Sequence, residues 1–168
     1  GDESYYRRGT LHFYHNTVYS MRPGNTTLTR LSTDDEHADV RTTVVHVTAG
    51  GSHLAIRAEA GHVVVAHCWL TEGWRDSHDD SPSGSLQVVD GLTGPDPGFA
   101  DPAAFEFAPL PGSPLVGSAG PLTDEELARP VTRQYVKHQA AEDRPDLDDP
   151  AIGALAGSGG ATGVPDSP

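Results

Sequence analysis

Tyr14-His15-Asn16-Thr17-Val18-Tyr19, Val40-Arg41-Thr42-Thr43-Val44-Val45 and Val65-Ala66-His67-Cys68-Trp69-Leu70 are the stretches whose alignment decides the fold. They begin 26 and then 25 residues apart. In each, an apolar or aromatic residue comes first, a polar residue third and an apolar residue fifth. A second strand-like run follows the first two: Thr27-Leu28-Thr29-Arg30-Leu31, then His53-Leu54-Ala55-Ile56-Arg57. A period of this length with two strands has a simple physical solution. One period cannot bury its own apolar face, but stacked periods pair each strand with its equivalent above and below, about 4.8 Å apart, and share a continuous core. Tyr14, Val40 and Val65 are expected to stack inward, as are Val18, Val44 and Trp69. Asn16, Thr42 and His67 are expected to form a polar column at a bend.

Working outward, strand-like segments cover Thr10–Ser20, Thr26–Ser32, Asp39–Thr48, His53–Ala58, His62–Thr71 and Ser85–Val89. They are rich in Val, Thr, Tyr, Phe and Leu and bounded by turn residues such as Pro23-Gly24-Asn25 and Gly50-Gly51. An antiparallel sandwich of short strands would explain the turns but not the recurring offset. Beyond Val89 the period dissolves. Residues 94–121 carry prolines too densely for a central strand, yet Phe99, Phe105, Phe107, Leu110, Leu115 and Val116 are too apolar for a free linker. This segment is expected to lie extended against the last coil and cover its open edge. Thr123 reads as a helix N-cap with Glu126 at the capping-box position, and Pro130 limits the helix to a few residues. The organisation expected is coils over 1–93, a closing segment over 94–156 and a disordered Gly/Ser/Pro tail over 157–168.

The first repeat and the closing segment together carry a resemblance. His15-Asn16-Thr17-Val18, Asp96-Pro97-Gly98-Phe99-Ala100-Asp101-Pro102, Pro111-Gly112-Ser113-Pro114-Leu115-Val116-Gly117-Ser118-Ala119-Gly120 and Asp149-Pro150-Ala151-Ile152-Gly153-Ala154 follow one another in that order. This order resembles the recurring HNT motif and the C-terminal closure of right-handed parallel β-helix proteins of the pectate-lyase-like superfamily, although the Glu that ends their final motif is missing. The resemblance implies an all-β fold: a right-handed parallel β-helix of about three coils, with a Pro/Gly-rich C-terminal cap and a short helix. It further implies a secreted or cell-surface parent that acts on polysaccharide, as a lyase or a glycoside hydrolase, with catalytic residues upstream of this section. The alternative it leaves is a non-enzymatic adhesin or carbohydrate-binding β-helix. Ca²⁺ enters only through such a parent, where it would neutralise a uronate. No family catalytic residue can be placed on this chain, so the section itself is expected to be non-catalytic.

Composition narrows the partners. The 168 residues contain 24 acidic and 11 Lys or Arg side chains, a net charge of -13, which repels a phosphate backbone and argues against nucleic acid. No apolar run approaches the ~18 residues of a membrane-spanning helix. The one cysteine, Cys68, excludes an internal disulfide. A monomer is expected, and no cofactor. His12, His37 and His62 recur at intervals of 25, as do His53 and His78. The coil register makes only His37 and His62 true neighbours, so no metal site is assigned. The polar run Trp74-Arg75-Asp76-Ser77-His78-Asp79-Asp80 lacks the spacing of a Ca²⁺ loop and reads as solvated. On the recurring strand, His15, Tyr19 and Arg41 take outward positions, where they could touch a sugar chain by hydrogen bonding and ring stacking.

Overall fold

The computed structural model describes residues 8–48, 54–77, 83–136, 140–145 and 150–156, and it is predominantly β. The first ten strands are β1 (Gly9–Tyr14), β2 (Thr17–Ser20), β3 (Thr26–Leu31), β4 (Glu36–Arg41), β5 (Val44–Val47), β6 (Leu54–Ala58), β7 (His62–Ala66), β8 (Trp69–Thr71), β9 (Ser85–Val89) and β10 (Leu92–Gly94). The chain deals them in rotation to three parallel ladders. The first is β1-β4-β7-β9, the second β2-β5-β8-β10 and the third β3-β6, which an isolated parallel bridge from Ala55 to Arg75 extends. The first two periods therefore supply three strands each, not two, and the third supplies two strands and the bridge. The long runs seen in the sequence, such as Thr10–Ser20 and His62–Thr71, are each broken into two strands by a sharp bend.

The bend is the same in every period. His15, Thr42, His67 and Asp90 have φ of 52°, 46°, 49° and 45°, the left-handed region that side chains rarely enter. The next residue ties the bend down. Asn16 Nδ2 donates to the Tyr14 carbonyl at 2.8 Å, Thr43 Oγ1 to the Arg41 carbonyl at 2.8 Å, and Cys68 Sγ to the Ala66 carbonyl at 3.3 Å. These short polar side chains add a local bond at the bend; the Arg41 and Ala66 carbonyls also accept from His15 N and Thr42 N of the preceding period. The polar column is therefore Asn16, Thr43 and Cys68, in place of the expected Asn16, Thr42 and His67.

Register follows the bends. Phe13 pairs with Val40, which pairs with Val65, which pairs with Val88, so the offsets are 27, 25 and 23. The expected first offset of 26 is one residue short, and Phe13 rather than Tyr14 takes the inward position. A second correction concerns the other ladder. Val18, Val45 and Leu70 face the shared core, whereas Thr17, Val44 and Trp69 pair on the opposite face. Side chains alternate only along extended backbone. The left-handed residue resets the phase, so alternation carried through the bend assigns the wrong side.

Two clusters of buried residues result. Val40, Val63 and Val65 of the first ladder meet Val45 and Leu70 of the second and Leu54 and Ile56 of the third in one core. The second cluster, Val44, Trp69, Phe99, Leu115 and Ile152, lies on the outward face of the second ladder. It explains why β5 is buried along its whole length, as parallel strands covered on both faces are. The cover is the C-terminal segment. It contains β11 (Phe99–Asp101), a 3-10 turn (Pro102–Ala104), β12 (Glu106–Pro109), helix α1 (Asp124–Ala128), and the antiparallel pair β13 (Arg133–Val136) and β14 (Ala140–Asp143). It lies across the side of the second ladder, from Thr17 and Tyr19 to Leu92, rather than over the β9 edge of the first ladder, where Val88 stays 45% exposed. The two proline-rich motifs lock together within it: buried Ser113 donates to the Pro97 carbonyl at 2.7 Å and accepts from Leu115 N at 3.1 Å. The tail over 157–168, and also His53 and residues 78–80, lie outside the described residues.

Candidate functional site

The polar side chains on the outward face of the first ladder are connected. Tyr14, His12, Asp39 and Arg41 alternate outward on β1 and β4, and register places Tyr14 beside Arg41 and His12 beside Asp39. The Tyr14 hydroxyl donates to Asp39 Oδ2 at 2.6 Å, and His12 Nδ1 lies 2.7 Å from the same phenol oxygen. Arg41 Nε donates to the same Asp39 Oδ2 at 3.0 Å and stands 2.8 Å from Oδ1, which accepts no hydrogen bond among the described residues. On the far side His12 Nε2 is 3.7 Å from Glu125 Oε1 of α1. The chain of contacts thus runs Glu125, His12, Tyr14, Asp39, Arg41. Burial, with the hydrogen bond and negative charge of Asp39, pushes the Tyr14 phenol up to about 12. Farther along the face, His37 pairs with His62, and His62 Nδ1 lies 2.6 Å from Ser85 Oγ.

Where this face meets the C-terminal cover there is a cavity of about 650 Å³. Tyr14 and His15 form its ladder side, and Glu126, Arg144, Val131 and Pro150 are among the residues opposite. Glu126 comes there through the helix cap. Its Oε2 accepts from Thr123 N at 2.9 Å and Thr123 Oγ1 at 3.0 Å, while Thr123 Oγ1 accepts from Glu126 N, a complete capping box. Its other oxygen, Oε1, accepts no hydrogen bond among the described residues and stands 3.6 Å from His15 Nε2. His15 Nδ1 likewise has no partner. Burial and the charge of Arg144 hold the His15 imidazole below its ordinary value, against the opposing pull of Glu126. Arg144 is itself anchored by donating to the Ala154 and Gly153 carbonyls at 2.9 and 3.3 Å.

The three residues expected to share an outward face do not share one. Arg41 stands on the first ladder and His15 at the bend beside the cavity, and both sense Glu126. Tyr19 lies on the second ladder, where its ring packs among His46, Phe99 and Phe107 at 5.3, 6.2 and 5.1 Å. The sequence reading missed Tyr14 and Asp39 because it placed Tyr14 inside. The alternation His37, Asp39, Arg41 was the signal that could have found the face. Glu126 and Arg144 gave no signal beyond the helix cap, since chain separation conceals their approach to His15. Cys68 is buried and inert, its thiol raised to about 12 by desolvation. Among the described residues no group of three or more His, Cys, Asp or Glu could hold a metal ion, and no helix is long and apolar enough to cross a membrane. No protein-family model matches the chain, and no curated protein and no solved structure matches it.

Proposed function

We propose that this chain is the C-terminal section of a right-handed parallel β-helix from a secreted or cell-surface carbohydrate-active protein, of the polysaccharide lyase or glycoside hydrolase type, and that this section binds saccharide without cleaving it. The rotation of strands among three parallel ladders supports the coil reading, and the strong preference of parallel crossovers for one hand supports a right-handed coil. The observation that carries the saccharide reading is the contact chain Glu125, His12, Tyr14, Asp39, Arg41 on an outward sheet face. It sets several hydrogen-bonding groups beside an aromatic ring, the combination that suits a sugar's hydroxyl rim and C–H face. The same observation supports the non-catalytic role. Tyr14 and Arg41 both donate to Asp39 Oδ2, so this carboxylate is held by its neighbours, and among the described residues none of its contacts is a second carboxylate of the kind glycoside hydrolysis uses. That arrangement equally favours the second reading, an adhesin whose coils only bind.

Calorimetric titration of the chain with neutral and uronic oligosaccharides, run beside turnover assays on the same sugars, tests this. Saturable binding with no turnover is the expected result. Turnover would overturn the non-catalytic role, and absence of binding to every sugar would overturn the saccharide reading. Binding to intact cell walls but to no soluble oligosaccharide would favour the adhesin.

A further inference from the structure

We infer that the cavity between the first bend and the C-terminal cover is a pocket for one neutral sugar unit. The inference deepens the saccharide reading and rests on it. The volume of about 650 Å³ falls in the range of small-molecule sites and leaves ample room for a sugar unit. The chemistry of the walls narrows the class. Glu126 is 4% exposed and its Oε1 has no hydrogen-bond partner; His15, with its side chain 12% exposed, has none at Nδ1. Buried polar atoms in this state are costly, and a ligand that donates hydroxyl hydrogens relieves the cost. Leu122, Pro130, Val131 and Pro150 supply apolar surface for the C–H face of a ring. Charge of both signs on the walls favours a neutral ligand: Arg129 and Arg144 oppose a cation, while the buried Glu126 carboxylate, with no partner at Oε1, opposes a phosphate or uronate. A neutral polyol meets neither objection. Recognition of a neutral unit also turns the proposed parent toward the hydrolase type and away from uronate lyases.

Two conservative variants leave the fold's needs intact. Glu126→Gln keeps the capping box, which Gln serves as well as Glu, and His15→Asn keeps a residue that tolerates the left-handed bend. Urea midpoints confirm that both fold. Neutral and uronic oligosaccharides are then titrated against wild type, these variants and Arg41→Ala, with the His15 ring signals followed by NMR. The expected result is that neutral sugars bind wild type more tightly than uronic ones and shift the His15 signals, and that each cavity variant weakens binding at least about tenfold. If affinity survives both cavity variants but falls in Arg41→Ala, the pocket assignment is wrong while the saccharide reading stands. Tighter binding of the uronic sugars would overturn the neutral class. If no sugar binds wild type, the saccharide reading itself falls, and those buried atoms serve only an ordered water.

Discussion

The backbone N–H of Gly153 donates to the carbonyl of Thr42 at 3.0 Å, which fastens the end of the C-terminal cover to the second bend. Gly153 holds φ of +116°, and a Cβ there would lie 2.9 Å from Thr17 Oγ1 and 3.2 Å from Val44 Cγ2. Gly153→Ala therefore meets both backbone strain and a steric clash. A loss of about 2–3 kcal/mol is expected, measured as a lowered urea midpoint. An unchanged midpoint would show that the cover contributes little to stability.

Trp69 joins the cover to the ladders from the other side, since it is 1% exposed within the cluster that includes Phe99, Leu115 and Ile152. Trp69→Ala removes the largest side chain of that cluster. About 3–5 kcal/mol of stability should be lost, and protease cleavage should appear first between residues 94 and 121. Cleavage beginning within the ladders would contradict this order.

Asp90 occupies the fourth bend with φ of 45°, and its side chain is exposed. Asp90→Gly relieves the left-handed conformation and should leave stability unchanged or raise it by up to about 1 kcal/mol, whereas Asp90→Val should cost about 1–2 kcal/mol. Thermal unfolding of the pair checks the sign of the difference. Equal midpoints would mean that the bend carries no strain.

Stability should be greatest near neutral pH and decline on both sides. Burial lowers the folded-state values of His15 and His46 beneath their ordinary 6.5. The unfolded chain then binds protons first as pH falls below 6.5, and stability is lost until the folded-state values are passed. Cys68 and Tyr14 are raised from 9.0 and 10.0 to about 12. Here the unfolded chain releases protons first, so stability is lost as pH rises from about 9 toward 12. Urea midpoints across this range should trace the plateau, and His15→Asn should flatten the acid limb.

The sequence disclosed the repeat because Val, Leu and Trp recur at nearly constant intervals, and because Thr123 and Glu126 declare a helix start locally. It did not disclose the side on which Val44 and Trp69 face. That depends on the left-handed conformation of Thr42 and His67, and neither residue type demands it. The site was half visible for the same reason. His15 and Arg41 stood out by chemistry, but Tyr14 was hidden by a phase error. Tyr19 was polar-tipped and regular in position, yet Phe99 and Phe107 cover it from more than 75 residues away in the chain. Long-range cover of this kind leaves no periodic trace.

From Tyr14 to Thr17, Arg41 to Val44, Ala66 to Trp69 and Val89 to Leu92, the step from the first ladder to the second always spans the same two residues. All of the shortening from 27 to 25 to 23 falls in the return path through the third ladder. The molecule thus separates a rigid joint from an adjustable link. Insertions between the second ladder and the next first-ladder strand should be absorbed within one turn of the chain, because the following joint restores phase. A single residue added inside a joint has no such remedy: it would turn every later side chain of that strand to the opposite face.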